Sequence, residues 1–338
     1  VNRITSRYLP RAKALVAAFE NEGRPTGRAM SPAQEVRRQQ SPAGWSVTRA
    51  QLARQLNERL NGASLPHQRT TSYCGCAAFL YCLLEDRPDW YVAYATAVWR
   101  GEPFNFASPH ERVSIVVNAT TRDSLRDIQA RSGRASRISD LDWMMMASLS
   151  AATRRNRAAP STGATPSDLF SAITWPWMIR RWFASVGASA RLDSVGQGLM
   201  NGSMEDLLEL LDLWGSHWLV MQIDASLLSG GGQSITQRHW VVIDPEMRPL
   251  IQAKGRSAMT PGEFARLRRA RPFGAGTIPQ DAYGAAAAAN RQSAEYRAAP
   301  TNLRVVSWGN EHTPIWGSTI GNVADRFYGG YAFPRFNR

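Results

Sequence analysis

The order in which two hydrophobic rhythms appear restricts the fold of this chain more than any other feature. Up to Gly215 apolar residues recur at helical intervals; beyond it they gather into short runs rich in Val, Ile, Trp or Tyr and bounded by Gly, Pro and Asp. The first rhythm gives a helix one buried stripe, and the second suits strands. Helices are expected around Ala12–Phe19, from Thr48 through Leu52, Leu56 and Leu60 to Gly62, and from Gly75 onward. Further helices are expected from Pro88 to about Trp99 and from roughly Asp140 to Arg155, with Trp143, Met146, Ala147 and Ala151 as the apolar stripe. Three more follow near Ser167–Thr174, Pro176–Val186 and Met204–Trp214. Strands are expected at His217–Asp224, His239–Asp244, Leu303–Trp308 and Phe327–Phe333. Helices first and strands second predict an α+β fold, an N-terminal helical half packed on a C-terminal antiparallel sheet.

Two stretches stand apart from that plan. Residues 1–45 read as a partly flexible N-terminal extension, because the polar run from Asn21 to Pro42 is rich in Arg, Gln, Gly and Pro. Residues 46–338 then form the principal domain. Within it, the segment from about 254 to 300 carries several arginines and the run Ala285–Ala289, and reads as a helical or partly flexible insertion between neighbouring strands.

At 338 residues the chain is long enough for a sizeable core, and its twelve tryptophans supply large apolar surfaces. No run of about 18 apolar residues occurs, so no transmembrane helix is expected. The basic first residues lack the apolar core and cleavage site of a secretory signal. The chain opens on valine, as a processed product or a piece of a longer protein would. The net charge of +13 is carried almost wholly by arginine. It leaves nucleic acid or another acidic surface open as a partner, although the arginines are scattered and no nucleic-acid motif accompanies them.

Cys74, Cys76 and Cys82 lie within nine residues, unlike the spread-out cysteines of a disulfide scaffold. A C-x-C pair alone is a weak zinc signal, and no metal or cofactor is expected. Cys74 stands at a helix start, where unpaired N–H groups and the helix dipole favour a thiolate. Ala77, Ala78, Tyr81 and Glu85 share its face, whereas Cys76 lies about 200 degrees around the helix. Cys76 and Cys82 read as buried, inert thiols.

The loop before Cys74 carries a more specific signal. In Gln68-Arg-Thr-Thr-Ser-Tyr-Cys74-Gly75, a glutamine lies six residues ahead of the cysteine. This spacing resembles papain-like cysteine peptidases, in which that side-chain amide joins the cysteine N–H in the oxyanion hole. Cys74-Gly75-Cys76-Ala77-Ala78-Phe79-Leu80 also resembles the helix start of the bacteriocin-processing peptidase branch, and looks closer still to papain-fold toxin domains of bacterial interbacterial effectors. The likeness spans about residues 50–335 and departs at Cys76, where those helices have proline. A rival alignment makes Cys76 the nucleophile; the glutamine spacing favours Cys74.

The same resemblance implies a histidine base that opens a late strand. Of the five histidines, His67 precedes Gln68, His110 and His312 sit in polar loops, and His217 and His239 each open a strand ending in aspartate. His239 matches the position of the base and His217 the preceding strand. The third member stays open. Asp244 lies five strand residues from His239, about 16 Å away and on the opposite face. Val306-Ser307-Trp308-Gly309 resembles the Asn-Ser-Trp-Gly of papains, with valine in place of the orienting asparagine. Ser307, Asn310 or a backbone carbonyl could orient the ring, or the site could work as a dyad, and Trp308 would shield the histidine from water.

Taken together, the resemblance implies a thiol protease acting as a toxin or effector in bacterial competition. Delivery would be by a specialised secretion system without a signal peptide, with action in the target-cell cytoplasm. It implies a protein substrate and leaves room for a cognate immunity protein. The alternatives are a papain-fold deamidase or acyltransferase, or a basic binding module that has lost catalysis.

Overall fold

A computed structural model describes residues 4–27, 29–69, 71–106, 113–116, 123, 138–153, 174–195, 202–230, 238–270, 293–307, 309–315 and 319–336. The chain divides into two units, Val1–Ser189 with Arg335–Arg338, and Ala190–Pro334.

In the first unit, α1 (Leu9–Asn21) turns Ala12, Val16 and Phe19 inward at intervals of four and three, the period of a single helical stripe. Its neighbour in sequence, α2 (Pro32–Gln39), opens on a capping box between Ser31 and Gln34. A second box starts α3 (Arg49–Leu60): the Gln51 N–H donates to the Thr48 hydroxyl at 3.2 Å, and the Thr48 N–H donates to the Gln51 amide oxygen at 2.9 Å. The helix α4 (Cys74–Asp86) follows, then α5 (Pro88–Arg100), which ends on Gly101 with φ +78°. A two-residue antiparallel ladder, β1 (Phe104–Asn105) with β2 (Ser114–Ile115), precedes α6 (Asp140–Thr153) and α7 (Pro176–Ser185).

The segment set apart in the sequence as residues 1–45 contributes α1 and α2 to this unit. Arg49 ties it in: its guanidinium donates to the Phe19 carbonyl at 2.7 Å and to Glu22 at 2.6 Å, and lies 4.7 Å from the ring centres of both Phe19 and Trp99. Phe79 of α4 packs edge-on against Phe106 and Phe183, with Trp182 tilted beside it. Instead of the one apolar stripe expected, α6 is buried all round from Leu141 to Ala151, and Ser148 and Tyr94 bond to each other inside the core at 2.7 Å. Apart from α2, which lies in the polar run read as partly flexible, helix boundaries in this unit fall within about three residues of those expected. The helix expected near Ser167–Thr174 lies outside the described residues, Thr174 excepted.

The second unit is a six-stranded antiparallel sheet with helices, so the α+β class holds. Its elements are β3 (Leu192–Asp193), α8 (Met204–Asp212), β4 (His217–Asp224), the single turn α9 (Ser226–Ser229), β5 (Arg238–Ile243), α10 (Pro261–Ala270), β6 (Arg304–Ser307), β7 (Asn310–Pro314), α11 (Ile320–Asp325) and β8 (Phe327–Pro334). The strands lie in the order β3-β8-β4-β5-β6-β7. Leu219, Met221 and Ile223 of β4, Val241 and Ile243 of β5 and Val305 of β6 share one face, which packs with Leu207, Leu211, Phe264 and Val323 from the helices. At Gly330 of β8 an added Cβ would stand 2.5 Å from a Leu210 methyl of α8, so the helix packs closely over the strand there.

Short edge strands are where sequence patterning fails. Two residues give no period, so β1, β2 and β3 were not expected, and the polar Asn310-Glu-His-Thr-Pro314 of β7 lacks an apolar face. The expected insertion runs between β5 and β6, which are neighbours in the sheet. Its first part is built into this unit: Phe264 of α10 is fully buried and the Gly262 N–H donates to Asp212 at 3.0 Å. Residues 271–292 lie outside the described residues.

Candidate active site

Cys74 is the first residue of α4, as its position between a polar loop and an apolar run predicts. The cap residue, Tyr73, makes no side-chain bond to the first turn, and that turn contains no acidic residue. Cys74 thus stands at the positive end of the helix dipole, which favours a thiolate. Directly after Cys74, a Cβ on Gly75 would stand 2.3 Å from the Thr174 methyl, 2.7 Å from its Cβ and 2.9 Å from Ile179. Glycine is thus required where the head of α4 meets the approach to α7. Cys74 retains 9% exposure; Cys76 and Cys82 have none, and burial pushes the Cys82 thiol well up. All three are free thiols.

The loop that delivers Cys74 is firmly anchored. The Thr71 hydroxyl and N–H both donate to the Gln68 carbonyl, at 2.7 and 3.1 Å, closing a turn. His67 Nδ1 accepts from the Arg69 N–H at 2.8 Å, with Arg69 at φ +54° in the left-handed region. Burial, helped by the Arg69 and Arg59 charges, lowers the His67 ring to about 4. Beneath the loop, Asp142 of α6 accepts from Arg59 at 2.6 Å and Ser139 at 2.8 Å, and the His67 backbone N–H also favours its charged form. Asp142 is almost fully buried; desolvation pushes its carboxyl up and the Arg59 charge pulls it back. Gln68 itself is 6% exposed, and its buried amide oxygen has no hydrogen-bond partner among the described residues.

His239 lies in the second unit, as the second residue of β5. It is opposite Ile223 of β4 and shares its face with Val241 and Ile243. Its Nε2 lies 2.7 Å from the Ser307 hydroxyl. The β5–β6 register pairs Val242 with Val306 and Ile243 with Val305, so Ser307 falls on the face shared by Val305, Ile243 and His239. Ser307 is then a diagonal neighbour on the same face, while Val306 points to the other one. The valine of the Asn-Ser-Trp-Gly likeness therefore does not face the ring, and the next residue does. Burial alone lowers the His239 ring to about 4, so it is neutral at pH 7.

The other candidates are accounted for separately. Asp244 is a strand-end residue, as expected: its carboxylate accepts from the Glu246 and Met247 N–H groups at 2.9 and 3.3 Å and bonds His312 Nδ1. His312, expected in a polar loop, is instead in β7 with φ +55°, its Nε2 3.5 Å from Glu246. Asn310 is paired with Ser307 across the β6–β7 turn. His217 opens β4 with Nδ1 2.7 Å from the Ser216 hydroxyl. Trp308 and His110 lie outside the described residues. Among the described residues no His, Cys, Asp and Glu grouping could hold a metal ion, and no helix is long and apolar enough to cross a membrane.

No family model matches the chain, and comparison with curated proteins and with solved structures gives no match.

Proposed function

We propose that this protein is a papain-like thiol peptidase, acting as a bacterial toxin or effector on a protein substrate. Cys74 supplies the nucleophile and His239 the base. The observation that carries the reading is the placement of Gln68, buried in the loop, six residues ahead of Cys74, the first residue of α4. In the proposed reaction neutral His239 takes the Cys74 proton and the thiolate attacks the peptide carbonyl carbon. The oxygen that gains the electron pair is held by the Cys74 N–H and the Gln68 amide, each worth about 3 kcal/mol. The C–N bond then breaks as His239 returns the proton to the leaving amine. Water, deprotonated by the same ring, releases the acyl group from sulfur and regenerates the thiol. If an amine replaces water, the same apparatus is an acyltransferase; with a glutamine side chain as substrate, it is a deamidase.

Incubation of the purified protein with bacterial lysate tests this directly. New protein fragments with wild type, absent with Cys74→Ala and His239→Ala, are expected. Identical protein patterns for all three would defeat peptidase action, and a mass change without chain cleavage would select the deamidase or acyltransferase.

A second reading, a basic binding module without catalysis, has its own observation. His239 is 6% exposed and alternates along β5 with two core residues, as a satisfied structural histidine would. Salt-sensitive DNA binding by a protein whose Cys74 does not react with iodoacetamide would favour it.

A further inference from the structure

We propose that Arg69 and the pair Trp175 and Trp177 read the substrate, taking an extended protein segment that carries acidic and large apolar side chains. This deepens the peptidase reading and rests on Cys74 as the nucleophile. All three residues lie in the first unit, as Cys74 does. Arg69 is exposed in the loop that leads from Gln68 to Cys74. Its φ of +54° is a conformation that glycine or asparagine ordinarily takes. Hydrogen bonds on both sides hold the turn in that shape. The Arg69 N–H donates to His67 Nδ1 at 2.8 Å, and the Thr71 hydroxyl and N–H donate to the Gln68 carbonyl at 2.7 and 3.1 Å. The turn therefore presents an exposed arginine from a fixed backbone.

The tryptophans adjoin the head of α4 from α7. Thr174 and Ile179 crowd Gly75 there, and Trp175 and Trp177 stand between them in sequence. The two rings are 45% and 43% exposed, whereas Trp99, Trp143, Trp182 and Trp218 are fully buried. Pro176 fixes the backbone between them, and Trp175 is extended at φ −76° and ψ 150°, so little chain entropy is lost when a ligand arrives. The surroundings are basic. Arg180 and Arg181 lie on α7, which has no carboxylate, and the first turn of α4 has no acidic residue. Arg38, Arg49, Arg59, Arg87 and Arg100 are each bonded to a carboxylate, and among the described residues Arg69 is bonded to none. A glutamate or aspartate of the bound segment supplies Arg69 with a counter-charge, and its apolar side chains cover the indole faces. Beside a sulfur nucleophile, such a segment belongs to a protein substrate.

The test is binding of fluorescein-labelled peptides to the full chain carrying Cys74→Ala, read by fluorescence anisotropy. One peptide is composed of Glu, Phe, Leu and Gly, and its counterpart has Lys in place of Glu. The glutamate peptide is expected to bind more tightly by about fivefold, and Arg69→Gln should remove that advantage, the worth of one part-exposed ion pair. Arg69→Gly, which suits the left-handed backbone, should do the same and serves if glutamine disturbs the loop. Trp175→Ala with Trp177→Ala should weaken binding of the glutamate peptide by about tenfold, the scale of an aromatic anchor. Arg54→Gln removes the same charge from the exposed face of α3 and should change nothing. Equal affinity for the two peptides, or an Arg54→Gln loss as large as that of Arg69→Gln, overturns the proposal. So does tighter binding of single-stranded DNA or of anionic phospholipid vesicles than of the glutamate peptide. Selective binding of that peptide without its cleavage by wild type overturns the peptidase reading instead, a separate result.

Discussion

At the scale of single residues, burial determines what the polar groups of this protein can do. It lowers the His239 ring from 6.5 to about 4, so as pH falls the unfolded chain takes up the proton before the folded one. Stability is therefore full above pH 6.5 and is lost between 6.5 and about 4, by on the order of 3 kcal/mol for this group. His67, half-buried, acts in the same direction with a smaller, solvent-screened share. Urea unfolding at pH 7 and pH 4.5 should show a smaller acid loss for His239→Gln than for wild type; equal losses would contradict the assignment. The Arg59–Asp142 pair behaves differently because both partners are buried. Asp142→Ala strands the guanidinium and should cost about 3–5 kcal/mol, whereas Arg59→Met with Asp142→Leu should recover most of it. Because the His67 N–H also favours the Asp142 carboxylate, the single variant should lose hydrogen-exchange protection in residues 67–71 as well.

Among the elements, α4 depends most on one small residue. A methyl group at Gly75 would be driven into Thr174 and Ile179, so Gly75→Ala should cost about 1–3 kcal/mol and shift the head of the helix. Thr174→Gly removes the two closest atoms and should relieve much of that loss in the double variant, as thermal denaturation would show; additive losses would mean that the crowding lies elsewhere. Much of the fold was legible because long elements repeat their pattern. The strand β4 was expected over the residues it occupies, and α5, α7 and β8 within about one residue at each end. The illegible parts have local causes. Short β1, β2 and β3 show no period, and polar β7 takes its place through pairing with β6 rather than through an apolar face. Cys74, Gln68 and His239 stood out by spacing and position, but the partner of the ring did not. Ser307 was one candidate beside Asn310, Asp244 and a backbone carbonyl, and choosing among them requires the cross-strand register, which belongs to two strands at once.

On the scale of the whole molecule, the proposed chemistry joins residues far apart in the chain, Gln68 and Cys74 early in it and His239 late. The central claim is therefore that two side chains far apart in sequence share one proton. The most direct measurement is the rate of Cys74 alkylation by iodoacetamide between pH 5 and 10, in wild type and in His239→Ala, with Cys76 and Cys82 as internal references. The account predicts that Cys74 reacts selectively in wild type, and that removing His239 slows the reaction near pH 7 and moves its profile toward that of a free thiol, near 8.5. Superimposable profiles for the two proteins, or no preference for Cys74 over its two buried neighbours, would contradict it.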